Sequence, residues 1–299
     1  MPARGKQIGD IDRQWSVLSL LEWGEAYLRE RGFDESRLHT ELLLGRVLGL
    51  TRLQLYLQFD RPLAHQELGS FKSLFRRRLA REPLQYILGE TEFMGLPIAV
   101  DRRVLIPRPE TEILVEAAVA TLKRQGAAPQ PEVLEVGTGS GNIAVALGRF
   151  VPAARILSID VSDEALEVAA RNVAANGVKN VELRRGDIRA ESFGPDRFDL
   201  IISNPPYIAR EEVSSLQEEV RAYEPLIATT DGADGLSLFA CIFTVAGASL
   251  RKGGWLFLEI GYGQGPAVLR LASAERISGG EFLPDYAGIP RVFRVQRSR

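Results

Sequence analysis

Two regimes of hydrophobic spacing divide the chain. From about residue 14 to 82 the apolar positions recur every three or four residues, the repeat of helices with one buried side. Trp15, Leu18, Leu21 and the pair Ala26/Tyr27 mark a first stripe, with Gly32 as its expected stop. Leu38, Leu42, Leu43 and Val47 mark a second, for which Asp34 or Ser36 is the expected cap. Thr51-Arg52-Leu53-Gln54 has the form of a capping box, in which a hydroxyl and an amide satisfy free backbone donors. Leu68, Phe71, Leu74, Phe75 and Leu79 predict a further helix whose polar side carries Arg76, Arg77 and Arg78. That basic run reads either as a solvated face or as a surface for a macromolecular partner.

From Glu82 the pattern changes. Short extended pieces punctuated by Gly89, Gly95 and Pro97 lead to Arg108, and Phe93 through Leu105 predicts a β-hairpin turning near Asp101-Arg102. Pro107 and Pro109 precede an amphipathic helix over about 110–124, followed by a loop from Gly126 to Pro131. Beyond it, strand candidates at 133–136, 155–159, 180–184, 199–203, 254–260 and 292–296 are mostly separated by helical runs near 141–149, 163–176 and 235–251. Such alternation predicts an α/β fold, a parallel sheet with helices on both faces. The expected organisation is a helical N-terminal domain over 1–85, a β-hairpin linker over 86–108 and an α/β domain over 109–299.

Composition narrows the function. The chain has 299 residues, enough for two cores, and ordinary apolar and charged fractions. A formal net charge of −2 argues against nonspecific attraction to nucleic acid, and no direct DNA binding is expected. The single cysteine, Cys241, can form no internal disulfide, so a cytoplasmic location is expected. Met1 to Asp10 has no apolar segment of the kind a secretory signal needs, and no run approaches the ~20 apolar residues that span a bilayer. The two histidines, His39 and His65, lie far from the motifs, so neither histidine catalysis nor a metal site is expected.

Chemistry concentrates at the ends of the apolar strands. The strand at 133–136 opens into Gly137-Thr138-Gly139-Ser140-Gly141, where missing side chains let the backbone turn tightly and approach a ligand. A dinucleotide fingerprint would want a third glycine at Asn142, to hold a pyrophosphate at the helix start. S-adenosyl-L-methionine has no phosphate and does not need it. Asp160 ends the next strand and can accept from both ribose hydroxyls, or can serve the cap of the following helix. Asp187 and Ile188 follow the third: Asp187 can accept from an adenine amino group, with Ile188 against the ring, or can be a solvated turn residue.

The run Phe198 to Ser203 ends abruptly in Asn204-Pro205-Pro206-Tyr207. Two prolines end a strand and stiffen the turn after it. Asn204 Oδ1 and the Pro205 carbonyl can accept the two hydrogens of a planar NH₂ group, while Tyr207 can stack on its plane. Such a nitrogen shares its lone pair with a π-system, so alignment with an activated methyl group matters more than a strong base. The tetrapeptide suits a glutamine amide and an adenine amino group equally. A noncatalytic cofactor-binding protein is the reading from another class.

The linked motifs Arg81-Glu82-Pro83-Leu84-Gln85-Tyr86-Ile87-Leu88-Gly89, Val104 to Glu112 (VLIPRPETE), 135–144 (EVGTGSGNIA), 203–208 (SNPPYI), 223–228 (YEPLIA) and 258–265 (LEIGYGQG) resemble the PrmC/HemK family. Its members are protein-(glutamine-N5) methyltransferases that act on class-I peptide chain release factors. The resemblance covers nearly everything after the first dozen residues. It implies a class I S-adenosyl-L-methionine-dependent methyltransferase domain with a Rossmann-like, mostly parallel seven-stranded sheet, joined by a β-hairpin connector to a small all-α N-terminal domain that helps position the release factor. By carry-over, Gly137, Thr138, Gly139, Ser140, Gly141, Asp160, Asp187, Ile188 and Asn204 bind the cofactor, which leaves as S-adenosyl-L-homocysteine. Asn204, Pro205, Pro206 and Tyr207 hold the glutamine of a Gly-Gly-Gln motif. A monomer is expected. Alternatives are a ribosomal-protein glutamine, or adenine N6 or guanine N2 in nucleic acid, as acceptor.

Overall fold

The three- and four-residue spacing becomes four helices, and a fifth forms at 84–88 where short extended pieces are expected, in the computed structural model, which describes residues 14–124, 128–274, 277 and 279–298. The N-terminal stretch Met1 to Asp10 and the start of the loop at Gly126 lie outside the described residues. The chain separates into two compact units, Met1–Leu88 and Gly89–Arg299, so the division falls just ahead of the hairpin and groups it with the second unit.

In the first unit α1 (Val17–Arg29) starts at a capping box in which Ser19 N donates to Ser16 Oγ and Ser16 N to Ser19 Oγ. α2 (Ser36–Leu48) starts differently from expectation. Its cap is Glu35, in the left-handed region at φ 48°, and neither Asp34 nor Ser36 caps it. Ser36 is already helical, and its hydroxyl turns back to donate to the Phe33 carbonyl at 2.7 Å. The Thr51–Gln54 box opens α3 (Arg52–Tyr56) as the sequence predicts, with reciprocal bonds of 3.3 and 2.8 Å. α4 (His65–Leu79) and α5 (Leu84–Leu88) complete a core around Leu21, Leu28, Leu43, Leu44, Phe71 and Phe75.

The arginine run on α4 divides between solvent and burial. Arg77 makes a two-pronged contact to buried Glu82, both bonds 2.8 Å, and buried Arg78 donates to the Glu82 carbonyl and lies 4.4 Å over the Phe33 ring. Arg76 alone of the three is exposed. Periodicity places a side chain on a face; here the return of the chain at Glu82 buries Arg78 and pairs with Arg77, which stays partly exposed. A second buried charge joins α2 to α3. Fully buried Glu41 accepts from Arg37 Nε at 2.6 Å, Arg52 Nε at 2.8 Å and the Tyr56 hydroxyl at 2.5 Å.

The second unit opens with the hairpin β1 (Glu90–Phe93) and β2 (Leu96–Ala99). Its tip is Met94-Gly95, with φ of 51° and 75°, and not Asp101-Arg102. Two positive φ values in a two-residue loop match the right-handed twist of paired strands. Asp101 organises a later turn instead, accepting from the Arg103 backbone and side chain. α6 (Pro109–Leu122) follows, with Pro109 in its first turn, where no donor is needed.

Five parallel strands form the body of the sheet. β3 (Glu132–Val136) pairs with β4 (Arg155–Asp160) on one side and β6 (Phe198–Ser203) on the other. β5 (Val181–Arg185) lies beyond β4, and β7 (Leu250–Glu259) beyond β6. Antiparallel β9 (Pro290–Gln296) and β8 (Glu281–Pro284) close the order β5-β4-β3-β6-β7-β9-β8. The connecting helices are α7 (Asn142–Phe150), α8 (Asp163–Ala175), α9 (Glu218–Tyr223), α10 (Leu226–Thr229), α11 (Ser237–Ser249) and α12 (Gly265–Ala274). The sequence reading missed α9, α10, α12 and β8. The first two are short, and β8 is a four-residue edge strand ending in proline.

Alternate positions serve opposite faces. Leu134, Leu157, Ile201, Leu256 and Phe293 pack in the cluster that includes α11 and α12, while Val133, Ile156, Leu200 and Ile202 are buried on the other face. Burial on both sides explains why these strands read as continuous apolar runs. Glu135 interrupts the run. It is fully buried and stands in register with Ser158, whose hydroxyl donates to Glu135 Oε2 at 2.6 Å. Thr138 then donates to Ser158, also at 2.6 Å, which ties the glycine loop to β4. Burial pushes the Glu135 carboxyl up to about 8, with the nearby Asp160 charge adding and the Ser158 bond opposing.

Removing Glu41 takes away the carboxylate shared by Arg52 and the Tyr56 hydroxyl and leaves Arg37 only its 3.4 Å contact to Glu25, so Glu41→Ala should lower unfolding free energy by roughly 2–3 kcal/mol in denaturant titration. A raised folded pKa at Glu135 means the folded state holds its proton after the unfolded state has lost it. Its contribution to stability is therefore unaffected below the ordinary glutamate range, falls as pH rises toward about 8, and is constant above that. Glu135→Gln removes this titration. The variant should gain stability relative to the parent between pH 5 and pH 9, measured by denaturant titration at both.

Candidate active site

A cleft runs along the carboxyl ends of β3, β4, β5 and β6, on both sides of the point where the strand order reverses. The connection after β3 runs to β4 and the one after β6 runs to β7, in opposite directions along the sheet, which leaves a crevice between them.

The glycine loop forms one wall. Gly137, Gly139 and Gly141 have φ of 81°, 53° and 79°, a region that only glycine adopts freely. Gly141 has a second reason: a Cβ there would lie 2.9 Å from Ala169 Cβ on α8. Asn172 on the same helix donates to the Ser140 carbonyl at 2.8 Å and exchanges two bonds with Ala99 at 2.7 and 2.9 Å. One side chain therefore ties the hairpin to the glycine loop.

Asp160 joins the loop to the next strand. Its Oδ2 accepts from Gly139 N at 2.8 Å and its Oδ1 from Ser162 N at 2.9 Å. The cap of α8 is Ser162 itself, whose hydroxyl accepts from Ala165 N. Both carboxylate oxygens keep a free lone pair for a ligand. Asp187 lines the cleft while accepting from Arg189 N, and buried Ile188 supplies an apolar surface beside it.

Asn204 and Pro206 also line the cleft, as do Gly137, Thr138, Gly139 and Ser140. Gly141, Pro205 and Tyr207 are not among its lining residues. Pro205 is buried, and the Tyr207 hydroxyl donates inward to Glu259 Oε1 at 3.2 Å. Burial, reinforced by the Glu259 charge and hydrogen bond, raises the Tyr207 phenol above its ordinary range. The Tyr207 carbonyl accepts from Gln264 Nε2 at 2.8 Å, so the tail of the tetrapeptide is fixed from two directions.

Thr111 and Glu259 stand behind Asn204. Asn204 Nδ2 donates to Thr111 Oγ1 at 3.1 Å, and Thr111 Oγ1 donates to Glu259 Oε2 at 2.6 Å. Glu259 is 1 % exposed, and burial pushes its carboxyl up to about 7 against the two hydroxyl bonds that favour the charge. Arg108 reaches Glu224 Oε1 at 2.5 Å, while Ile106 N approaches Glu224 Oε2 at 3.4 Å. This pins the segment before α6 to the segment after α9. Burial raises the Glu224 carboxyl and Arg108 opposes it.

Thr111, Glu259, Glu224 and Arg108 were not assigned from sequence. A signal existed for Glu259, a charge closing a buried apolar strand, as Glu135 interrupts another. Thr111 and Glu224 lie within the family motifs, and Tyr223-Glu224-Pro225 is expected on the acceptor side, but their partners Asn204 and Arg108 are set only by the fold.

Residues 19–89 match the PrmC N-terminal domain family and residues 111–228 the methyltransferase small domain family. The release factor glutamine methyltransferase of Geobacter sulfurreducens is 43% identical over 278 residues, covering 93% of this chain and 95% of that protein. The one from Chlorobaculum tepidum is 44% identical over 288 residues, covering 94% and 97%. The crystal structure of a methyltransferase from Pyrococcus furiosus shares the fold, with a TM-score of 0.51 at 20% identity over 76% of this chain and 97% of that one. A glycine loop, an oriented strand-end carboxylate and an anchored Asn-Pro-Pro-Tyr turn thus occur in a chain that aligns with these relatives almost end to end, and it belongs to the release factor glutamine methyltransferase family.

Proposed function

We propose that the chain transfers a methyl group from S-adenosyl-L-methionine to the side-chain N5 of the glutamine in the Gly-Gly-Gln motif of class-I peptide chain release factors. The observation that carries this reading is the anchored Asn204, a side-chain amide held at the cleft by Thr111 in a chain of this family.

The cleft's donor set fits the cofactor. Asp160 would hold the ribose hydroxyls with its remaining lone pairs, Asp187 and Ile188 would hold the adenine, and the open backbone of 137–141 would admit the methionine portion. Bound there, the cofactor supplies a methyl group already activated by its positive sulfur. The protein's task is then orientation. Asn204 Oδ1 and the Pro205 carbonyl accept the two amide hydrogens and direct the nitrogen lone pair along the transfer axis. Both acceptors carry negative partial charge, which favours the nitrogen as it becomes cationic. Its proton leaves after transfer, so no buried base is required. Tyr207 would border the acceptor plane while its hydroxyl stays on Glu259.

We take a monomer as the working unit. We assign the N-terminal residues 1–85 to docking of the release factor, with residues 86–108 as the linker. No helix among the described residues is long and apolar enough to cross a membrane, and the lone Cys241 suits the cytoplasm where release factors act.

Labelled methyl transfer from S-adenosyl-L-methionine to purified release factor, its Gly-Gly-Gln→Gly-Gly-Ala variant and adenine-containing DNA tests the assignment. Label should appear on the intact factor alone; label on DNA alone would overturn the acceptor. Asn204→Ala should lower turnover at least about a hundredfold while cofactor affinity by calorimetry stays within about tenfold.

A further inference from the structure

An asparagine amide is useful at this site in one orientation only. The group facing the acceptor nitrogen's hydrogens must be Oδ1, since Nδ2 would set donor against donor. Rotation about the last side-chain bond exchanges the two ends at little steric cost, so something must select between them. The groups that Asn204 touches, beginning with Thr111 of the cleft wall, make that selection.

Glu259 ends β7 beneath the site, and its carboxylate receives two hydroxyls, Thr111 at 2.6 Å and Tyr207 at 3.2 Å. A threonine hydroxyl has a single hydrogen. With that hydrogen given to Glu259, Thr111 Oγ1 offers Asn204 only lone pairs. The end of the amide that meets it must be the NH₂ group, as the 3.1 Å bond from Nδ2 shows. We propose that Thr111 and Glu259 are positioning residues for methyl transfer, setting the polarity of a hydrogen-bond chain that leaves Asn204 Oδ1 free for the acceptor amide. The inference rests on the proposed role of Asn204 and extends it to two residues, one of which ends a strand far from it in sequence.

The chain's direction depends on Glu259 accepting at its inner end, so it belongs to the ionised carboxylate, which can only accept. A hydroxyl or amide in place of Glu259 could donate as well as accept, and either end of Asn204 would then be tolerated. The same carboxylate orients the Tyr207 hydroxyl, so one buried charge addresses both ends of Asn204-Pro205-Pro206-Tyr207. Thr111 is placed for this by Pro109, which starts α6 two residues earlier.

Thr111→Val and Thr111→Ser separate positioning from packing. Valine keeps the shape and removes the hydroxyl; serine keeps the hydroxyl. Thr111→Val should lower kcat for release factor methylation about 10–100-fold, with KM and cofactor Kd within about threefold and little change in melting temperature. Thr111→Ser should restore kcat to within about threefold of the parent. The second readout needs no substrate. The Asn204 side-chain NH₂ resonances, identified by their loss in Asn204→Ala, should exchange slowly with solvent in the parent and Thr111→Ser and rapidly in Thr111→Val. Parental kcat in Thr111→Val, or unchanged exchange there, would overturn the proposal. Absence of transfer by the parent enzyme with the exchange pattern intact would instead count against the release-factor assignment and leave the amide's orientation established.

Discussion

A buried carboxylate at the end of a central strand is expensive to keep, and much of the site is arranged around keeping one. Glu259 lies under the acceptor turn with both oxygens occupied by hydroxyls. An isolated charge there would cost several kcal/mol, and the two donors, one from α6 and one from the turn after β6, offset part of it. Their positions are consequently tied to each other. The helix that begins at Pro109 cannot shift without breaking a buried bond, nor can Tyr207. Asn204 hangs from the same network through Thr111.

The cofactor side is built on the same principle with different groups. Thr138, Ser158 and Glu135 form a second buried chain of hydroxyls ending on a carboxyl, one that fastens the glycine loop to β4. Asp160 adds its bonds to Gly139 and Ser162 from the cleft side. In both halves a parallel strand brings its terminal polar group to the sheet edge, and hydroxyls from neighbouring segments make the burial tolerable. Those bonds restrain the loops that must hold a ligand, so the groups are set before binding and less ordering remains for the bound state.

Several features were legible in the amino-acid order because their causes are local. The Thr51–Gln54 box needs only four residues, and it forms as read. Apolar runs buried on both sheet faces announce parallel strands, and β3, β4, β6 and β7 lie where those runs do. Other readings failed where the outcome turned on a distant segment or on a backbone choice several residues share. Arg77 and Arg78 occupy the polar side of α4, but the Glu82 side chain pairs with Arg77 and its carbonyl takes buried Arg78. The hairpin turns at Met94-Gly95 because two adjacent residues take positive φ, a joint property that Asp101-Arg102 imitates by composition alone. At α2 the cap position falls on Glu35, in the left-handed region, while Ser36 is already helical and gives its hydroxyl to Phe33.

The order of residues by itself determined the class of fold, the glycine loop, the strand-end aspartates and the Asn-Pro-Pro-Tyr turn. Each is a short segment whose spacing, rigidity or missing side chain has a direct physical meaning. The tertiary structure alone decided how those pieces are wired: that Asn204 gives its NH₂ to Thr111, that Thr111 answers to Glu259, and that Arg108 closes on Glu224. A hydrogen bond depends on a few tenths of an ångström between atoms whose residues lie more than a hundred positions apart in the last two cases. No periodicity or composition encodes such a distance; it exists only once the sheet has placed the strand ends side by side.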